Sequence, residues 1–226
     1  MFAAAIFDMD GLLIDSERPI RTAWIEAARL LGVEISHTQY LQVVGLAMSE
    51  SEVILRSWLG EPCAYDRAIG HVHEVLKGTP GIPRFPIKPG AAELLTALRL
   101  RGTRCAVASS STGAQIRRCL GEIDALHHFS AFAGGDEVPR GKPDPALYQL
   151  AAERLGVDPA QCIAFEDSEN GAKAALAAGL KVVVVPDLKH PPASVTDRAF
   201  HVLDSLHDAL AHVPRWFPVP QERAHG

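Results

Sequence analysis

Apolar positions along the chain fall into two rhythms. Short unbroken apolar runs at Ala3–Phe7, Cys105–Ala108, Ala131–Ala133, Cys162–Phe165 and Val182–Val185 have the length of strands buried on both faces. Between the later runs lie the segments Ala91–Arg101, Thr112–Leu120, Ala146–Leu155 and Ser168–Ala178, which repeat with a helical period. Gly156 and Gly179 stand just past two of them, where helices commonly end. Strands alternating with helices predict a parallel sheet clothed by helices, an α/β architecture. A weaker strand at Phe200–Leu203 and a helix at Ser205–Ala211 extend the pattern. The prolines that follow, from Pro214 on, argue against continuing that helix, and Trp216 and Phe217 are expected to pack the tail onto the core.

The alternation breaks after the first strand. Helical patterns at Arg18–Leu31, Ser49–Leu59 and Ala64–Lys77 follow one another with no strand between them. The Pro- and Gly-rich stretch from Gly78 to Gly90 then reads as a linker. Residues 17–85 are therefore expected to form a helical insertion, with 1–16 and 86–226 forming the sheet domain. One hinge lies beside the end of the first strand, where an insertion can close over a site like a lid.

Composition narrows the picture without setting it. A net charge of −5, with no basic stripe, gives no reason to expect a nucleic-acid partner. No apolar run approaches the length of a membrane span, so no membrane partner is expected. No targeting segment is visible, and Cys63, Cys105, Cys119 and Cys162 lack the spacing of metal ligands. A reducing cytoplasmic setting fits these cysteines.

The chemistry concentrates where apolar runs end. The first run closes on Asp8-Met-Asp10-Gly11, two carboxylates two residues apart followed by a residue that permits a sharp turn. Closely packed carboxylates repel unless a cation or a shared proton intervenes, which favours a functional site. The positions and the Glu of an EF-hand loop are missing. The second core strand ends in Ser109-Ser110-Ser111, able to cradle an oxyanion at a helix start or simply to cap the helix. Lys142 sits in the stiff segment Gly-Lys-Pro-Asp-Pro. A fourth strand ends in Glu166-Asp167-Ser168, so more acids converge on the same sheet edge and point to a hard cation such as Mg²⁺.

An acid pair, a serine, a lysine and a second acid pair at four strand ends resemble the haloacid dehalogenase superfamily, in its phosphatase branch. The resemblance spans essentially the whole chain. It implies a Rossmann-like parallel sheet core with helices on both faces and an inserted all-helical cap. By the same resemblance Asp8 is the nucleophile that forms an aspartyl phosphate, and Asp10 is the general acid and then base. Ser109, Ser110 and Lys142 would hold the phosphoryl oxygens. Asp8, Asp10 (through its backbone carbonyl) and Asp167 would bind Mg²⁺, with Glu166 behind them.

Within that superfamily, Asp10 argues against true dehalogenases, which lack the second acid. The segments Gly11–Ser16 and Ala108–Ser111 resemble β-phosphoglucomutases. Those mutases, however, carry a cap histidine where this chain has Ile20 and a cap arginine near its Ala47 to Ser49. The loop Val44–Glu50 looks more like that of hexose-6-phosphate phosphatases. Glu17, Arg21, Gly45 and Leu46 are the candidates for substrate choice; Glu17 and Arg21 could equally be a surface pair, and Trp24 a core residue. The expected activity is a Mg²⁺-dependent, monomeric phosphatase for a small phosphorylated metabolite, with a sugar phosphate foremost. A phosphosugar mutase is the alternative. A receiver-like phospho-aspartate signalling module is a further one, although receivers lack a large insertion after the first strand.

Overall fold

The computed structural model describes residues 1–46, 48–60, 62–78, 81 and 83–219. Six strands form one parallel sheet: β1 (Ala4–Phe7), β2 (Arg104–Ser109), β3 (Ala131–Gly134), β4 (Cys162–Glu166), β5 (Lys181–Val184) and β6 (His201–Val202). Their order across the sheet is β3-β2-β1-β4-β5-β6. β1 is therefore central, and the direction of winding reverses beside it. In such sheets the crevice beyond the strand ends at that reversal is where ligands bind. The register aligns Phe7 with Val107 on one side and Phe165 on the other, so the residues after Phe7 emerge level with the ends of β2 and β4.

Alternation along the strands sorts the two faces. Ala5, Phe7, Val107 and Phe165 belong to one apolar cluster, with Leu94, Leu98, Ile116, Leu120, Trp216 and Phe217. Ala4, Ile6, Ala106, Ala108 and Ala164 belong to the other, with Leu147, Tyr148, Ala151, Ala175 and Val182. The helices on these faces include α5 (Ala91–Leu100), α6 (Gly113–Glu122), α7 (Ala146–Leu155) and α8 (Glu169–Ala177), close to the segments expected from periodicity. Their alanines let α7 and α8 approach the sheet, and Cys105 and Cys162 are small buried residues within it. Thr112 caps α6 through a reciprocal capping box with Gln115.

Residues between β1 and β2 form, in chain order before α5, α1 (Glu17–Leu30), α2 (His37–Tyr40), α3 (Met48–Leu59) and α4 (Ala64–Val75). They close around a third apolar cluster that includes Trp24, Tyr40, Leu55, Leu59, Tyr65 and Val72. Trp24 packs at 5.5 Å between ring centroids against Tyr65, a core role. The chain leaves and re-enters the sheet domain through a narrow antiparallel ribbon. Asp15 N–H donates to Pro86 O and Lys88 N–H to Leu13 O, both at 2.8 Å. Part of the expected linker (Thr79, Pro80 and Ile82) lies outside the described residues.

The tail departs from expectation in one respect. After the turns α9 (Ala193–Thr196) and α10 (Leu206–Ala209), Val213–Trp216 forms a last helical turn, α11. Pro214 stands at its start, where a missing N–H costs no helical hydrogen bond. Trp216 and Phe217 are buried against the core.

Candidate active site

Asp8 follows β1 directly, and its N–H continues the ladder by donating to Phe165 O at 3.0 Å. Strand alternation turns its side chain toward the face covered by α7. Glu166, the last residue of β4, points to the same face. The segment leading into α7 places Lys142 between them: its Nζ donates to Asp8 Oδ1 at 2.5 Å and to Glu166 Oε1 at 2.6 Å. All three side chains are buried. The sequence thus joins two distant strand ends through one ammonium group supplied by a third segment.

Glu166 is more fully engaged than its position in the sequence suggests. Besides Lys142, its Oε1 accepts from the Tyr148 hydroxyl at 2.6 Å. Its Oε2 accepts from Asp167 N at 3.2 Å, Ser168 N at 3.3 Å and Ser168 Oγ at 3.1 Å. With five donors converging on two oxygens, Glu166 has little lone-pair capacity left for an ion. It serves to hold Lys142 and the turn bearing Asp167. Gly171 makes this possible, because a Cβ there would collide with the Glu166 carboxylate.

Asp167 also comes close to Asp8. Each of Asp8, Glu166 and Asp167 offers a carboxylate oxygen, and the three oxygens lie within 4.8 Å of one another. Three carboxylates face one ammonium. Burial, with Glu166 and Asp10 adding to it against Lys142, pushes the Asp8 carboxyl up to about 8. Burial and the charges of Asp8 and Glu166 push Asp167 well above the usual carboxylate range. Lys142 is raised by Asp8 and Glu166 against its own burial and stays charged. A buried surplus of negative charge, made only of hard oxygen donors, fits a small divalent cation. Gly11 crosses this group at φ 81°, and a side chain there would strike the Asp167 carboxylate.

Asp10 is set apart from the three acids. Its Oδ2 accepts from Ser111 Oγ at 2.9 Å and Ser109 Oγ at 3.2 Å. Ser109 is buried at the end of β2, and its Oγ also accepts from Ser111 N at 3.1 Å. Ser110 is exposed. The partners of Asp10 within the serine run are therefore Ser109 and Ser111, and Ser111 is the one that spacing alone does not distinguish from Ser110. Tyr148 was also missed: in sequence it is one apolar position on the buried face of α7, and only the fold shows its hydroxyl reaching Glu166.

The insertion borders the same crevice. Glu17 opens α1, and its Cγ lies 3.6 Å from where a Gly11 Cβ would stand, beside Asp167. Its carboxyl is pushed up to about 7 by burial first, then by Asp10, Asp187 and Asp15, with Arg21 opposing. Among the described residues, Arg21 Nε and Ser16 Oγ are buried without a hydrogen-bond partner. Gly45 O accepts from Asn170 Nδ2 at 3.0 Å, which brings the loop containing Gly45 and Leu46 against the start of α8. Ala47 lies outside the described residues.

Comparison with known proteins shows what the chain is similar to. The chain is 33% identical over 210 residues to hexitol phosphatase B of Escherichia coli (strain K12), covering 89% of each chain. It is 32% identical over 208 residues to a phosphorylated carbohydrates phosphatase of Thermotoga maritima, covering 92% of this chain and 88% of that one. A haloacid dehalogenase family hydrolase from Deinococcus radiodurans R1, solved with bound phosphate and sodium, superposes with a TM-score of 0.78 at 28% identity, over 96% of this chain and 98% of that one. The haloacid dehalogenase-like hydrolase family matches residues 2–179, and the chain belongs to that family.

Proposed function

We propose that the chain is a Mg²⁺-dependent phosphomonoesterase that hydrolyses a small phosphorylated sugar or sugar alcohol through an aspartyl phosphate on Asp8. The observation that carries this reading is the end of β1. There Asp8 is bridged to Lys142 beside a surplus of carboxylates, and a second acid two residues on is held by two serine hydroxyls. The names of the E. coli and T. maritima relatives support phosphorylated carbohydrates as the substrate class.

In the first displacement an Asp8 carboxylate oxygen forms a bond to phosphorus as the ester oxygen leaves. Asp10 gives that oxygen a proton. In the second, Asp10 takes a proton from water, the water oxygen bonds phosphorus, and the Asp8–phosphorus bond breaks. Lys142 offsets charge developing on the phosphoryl oxygens, aided by the Ser109–Ser111 turn. Mg²⁺ bound by Asp8 and Asp167, with the Asp10 carbonyl, would screen the repulsion between Asp8 and the incoming phosphate. Glu166 stands behind them and holds Lys142. The helical insertion acts as the lid.

In this reading Ser16, Glu17 and Arg21, with Gly45 and Leu46, would face the leaving group. Unpartnered buried donors and acceptors are costly unless a ligand completes them, and hydroxyl groups would do so. A panel of phosphorylated metabolites assayed for phosphate release with Mg²⁺ tests the reading. Release from hexose or hexitol phosphates, abolished by chelation, is the expected result. Interconversion of phosphosugars that depends on a bisphosphate would replace it with a mutase.

A further inference from the structure

The hinge carries an ion-pair junction distinct from the acidic group at the sheet edge. Asp187, in the loop after β5, has a side chain only 2% exposed. Its Oδ1 accepts from Arg18 Nη1 at 2.8 Å and from Lys88 Nζ at 2.5 Å. Arg18 is the second residue of α1 and also donates to Asp15 Oδ1 at 2.9 Å. Lys88 stands on the returning arm of the ribbon. One carboxylate therefore ties together the arm leaving the sheet domain, the arm returning to it and a loop of the sheet domain itself. Its Oδ2 has no hydrogen-bond partner among the described residues. A crevice of about 430 Å³ opens beside the hinge, lined in part by Asp15, Arg18, Thr22, Leu76 and Arg84.

We propose that Asp187 is a positioning residue: through Arg18 it sets the angle of α1 over the sheet edge, and with it the presentation of Glu17 and Arg21 to the leaving group. The proposal rests on the phosphatase reading above. Glu17 immediately precedes Arg18, and Arg21 lies one turn further on, so any tilt of the helix about its first turn moves both. Asp8 and Asp10 follow β1, and Lys142 lies in the segment leading into α7, so the sheet domain sets their backbones. Loss of the junction therefore weakens recognition of the leaving group and leaves phosphoryl transfer in place.

The test compares wild type, Arg18→Gln, Arg18→Lys and Asp187→Asn on two phosphoryl donors with Mg²⁺ present. One is a hexitol phosphate; the other is acetyl phosphate, whose leaving group has only two carbons. In Arg18→Gln and Asp187→Asn, KM for the hexitol phosphate should rise about tenfold or more, while kcat on acetyl phosphate stays within about twofold. Arg18→Lys, which keeps the charge, should recover most of the loss. Amide hydrogen exchange at Asp15 and Lys88 should quicken in Arg18→Gln. Equal losses on both donors, or an unchanged KM in folded Arg18→Gln, would overturn the proposal. Arg18 is 44% exposed, so its variants carry the test even if Asp187→Asn fails to fold. Wild type that turns over neither donor would overturn the phosphatase reading instead, and unchanged hinge exchange in Arg18→Gln would still overturn the positioning role.

Discussion

The two polar regions that meet in the crevice are built on opposite terms. At the sheet edge Lys142, Glu166 and Tyr148 are locked by short hydrogen bonds in a buried network. At the start of α1, by contrast, Ser16 Oγ and Arg21 Nε are buried with no hydrogen-bond partner among the described residues. The first region is organised before anything binds, as a group that stabilises developing charge must be. The second holds unfilled hydrogen-bonding capacity, which a ligand can complete. Under the proposed function, chemistry belongs to the first region and recognition to the second.

That contrast can be broken from either side. The largest effect should follow Asp8→Asn. Turnover should fall by about 10⁴-fold or more while the fold survives, because an amide is a poor nucleophile. Circular dichroism paired with a phosphate-release assay checks it, and near-normal turnover in folded protein would remove Asp8 from its role. Lys142→Met should follow, since it strands Asp8 and Glu166 without their cation. A stability loss of about 3–5 kcal/mol is expected in denaturant titration without divalent ions. An unchanged midpoint would mean that the network is not held by that ammonium. Asp10→Asn should slow an alkyl phosphate by about 10²–10⁴-fold and an aryl phosphate, with its better leaving group, by much less. Equal loss on both esters would count against proton donation.

The smallest effect belongs to the α1 side. The Glu17 carboxyl is raised to about 7 in the folded chain relative to the unfolded one. It therefore adds stability that is complete below the ordinary glutamate range and is lost as pH rises through about 7. Glu17→Gln should flatten the fall in melting temperature between about pH 5 and about pH 8 in metal-free protein. Parallel pH profiles for the two proteins would show that Glu17 is not held in a buried, negatively charged setting.

Much of the sheet domain could be read directly because its strands are unbroken apolar runs, and burial on both faces leaves that signature. Asp8, Glu166 and Asp167 stand out because charge at the end of such a run needs a reason, and Lys142 because prolines stiffen the segment around it. The four-residue helices at His37–Tyr40 and Val213–Trp216 are shorter than a helical period can reveal. Ser111 could not be told from Ser109 and Ser110, since the turn after β2 decides which hydroxyls meet Asp10. The Arg18–Asp187 pair spans 169 positions, and no local pattern in the proline-flanked loop announces it. Tyr148 was hidden for the opposite reason: its ring satisfies the apolar pattern so well that nothing draws notice to its hydroxyl.

The two-armed ribbon at the hinge has a consequence for how such a chain can diversify. Exit and return are adjacent, joined by the backbone pairs Asp15–Pro86 and Lys88–Leu13. Everything between them is in effect a cassette spliced into one doorway. Under the proposed function, exchanging that cassette would change specificity while leaving the strand order and register of the remainder untouched.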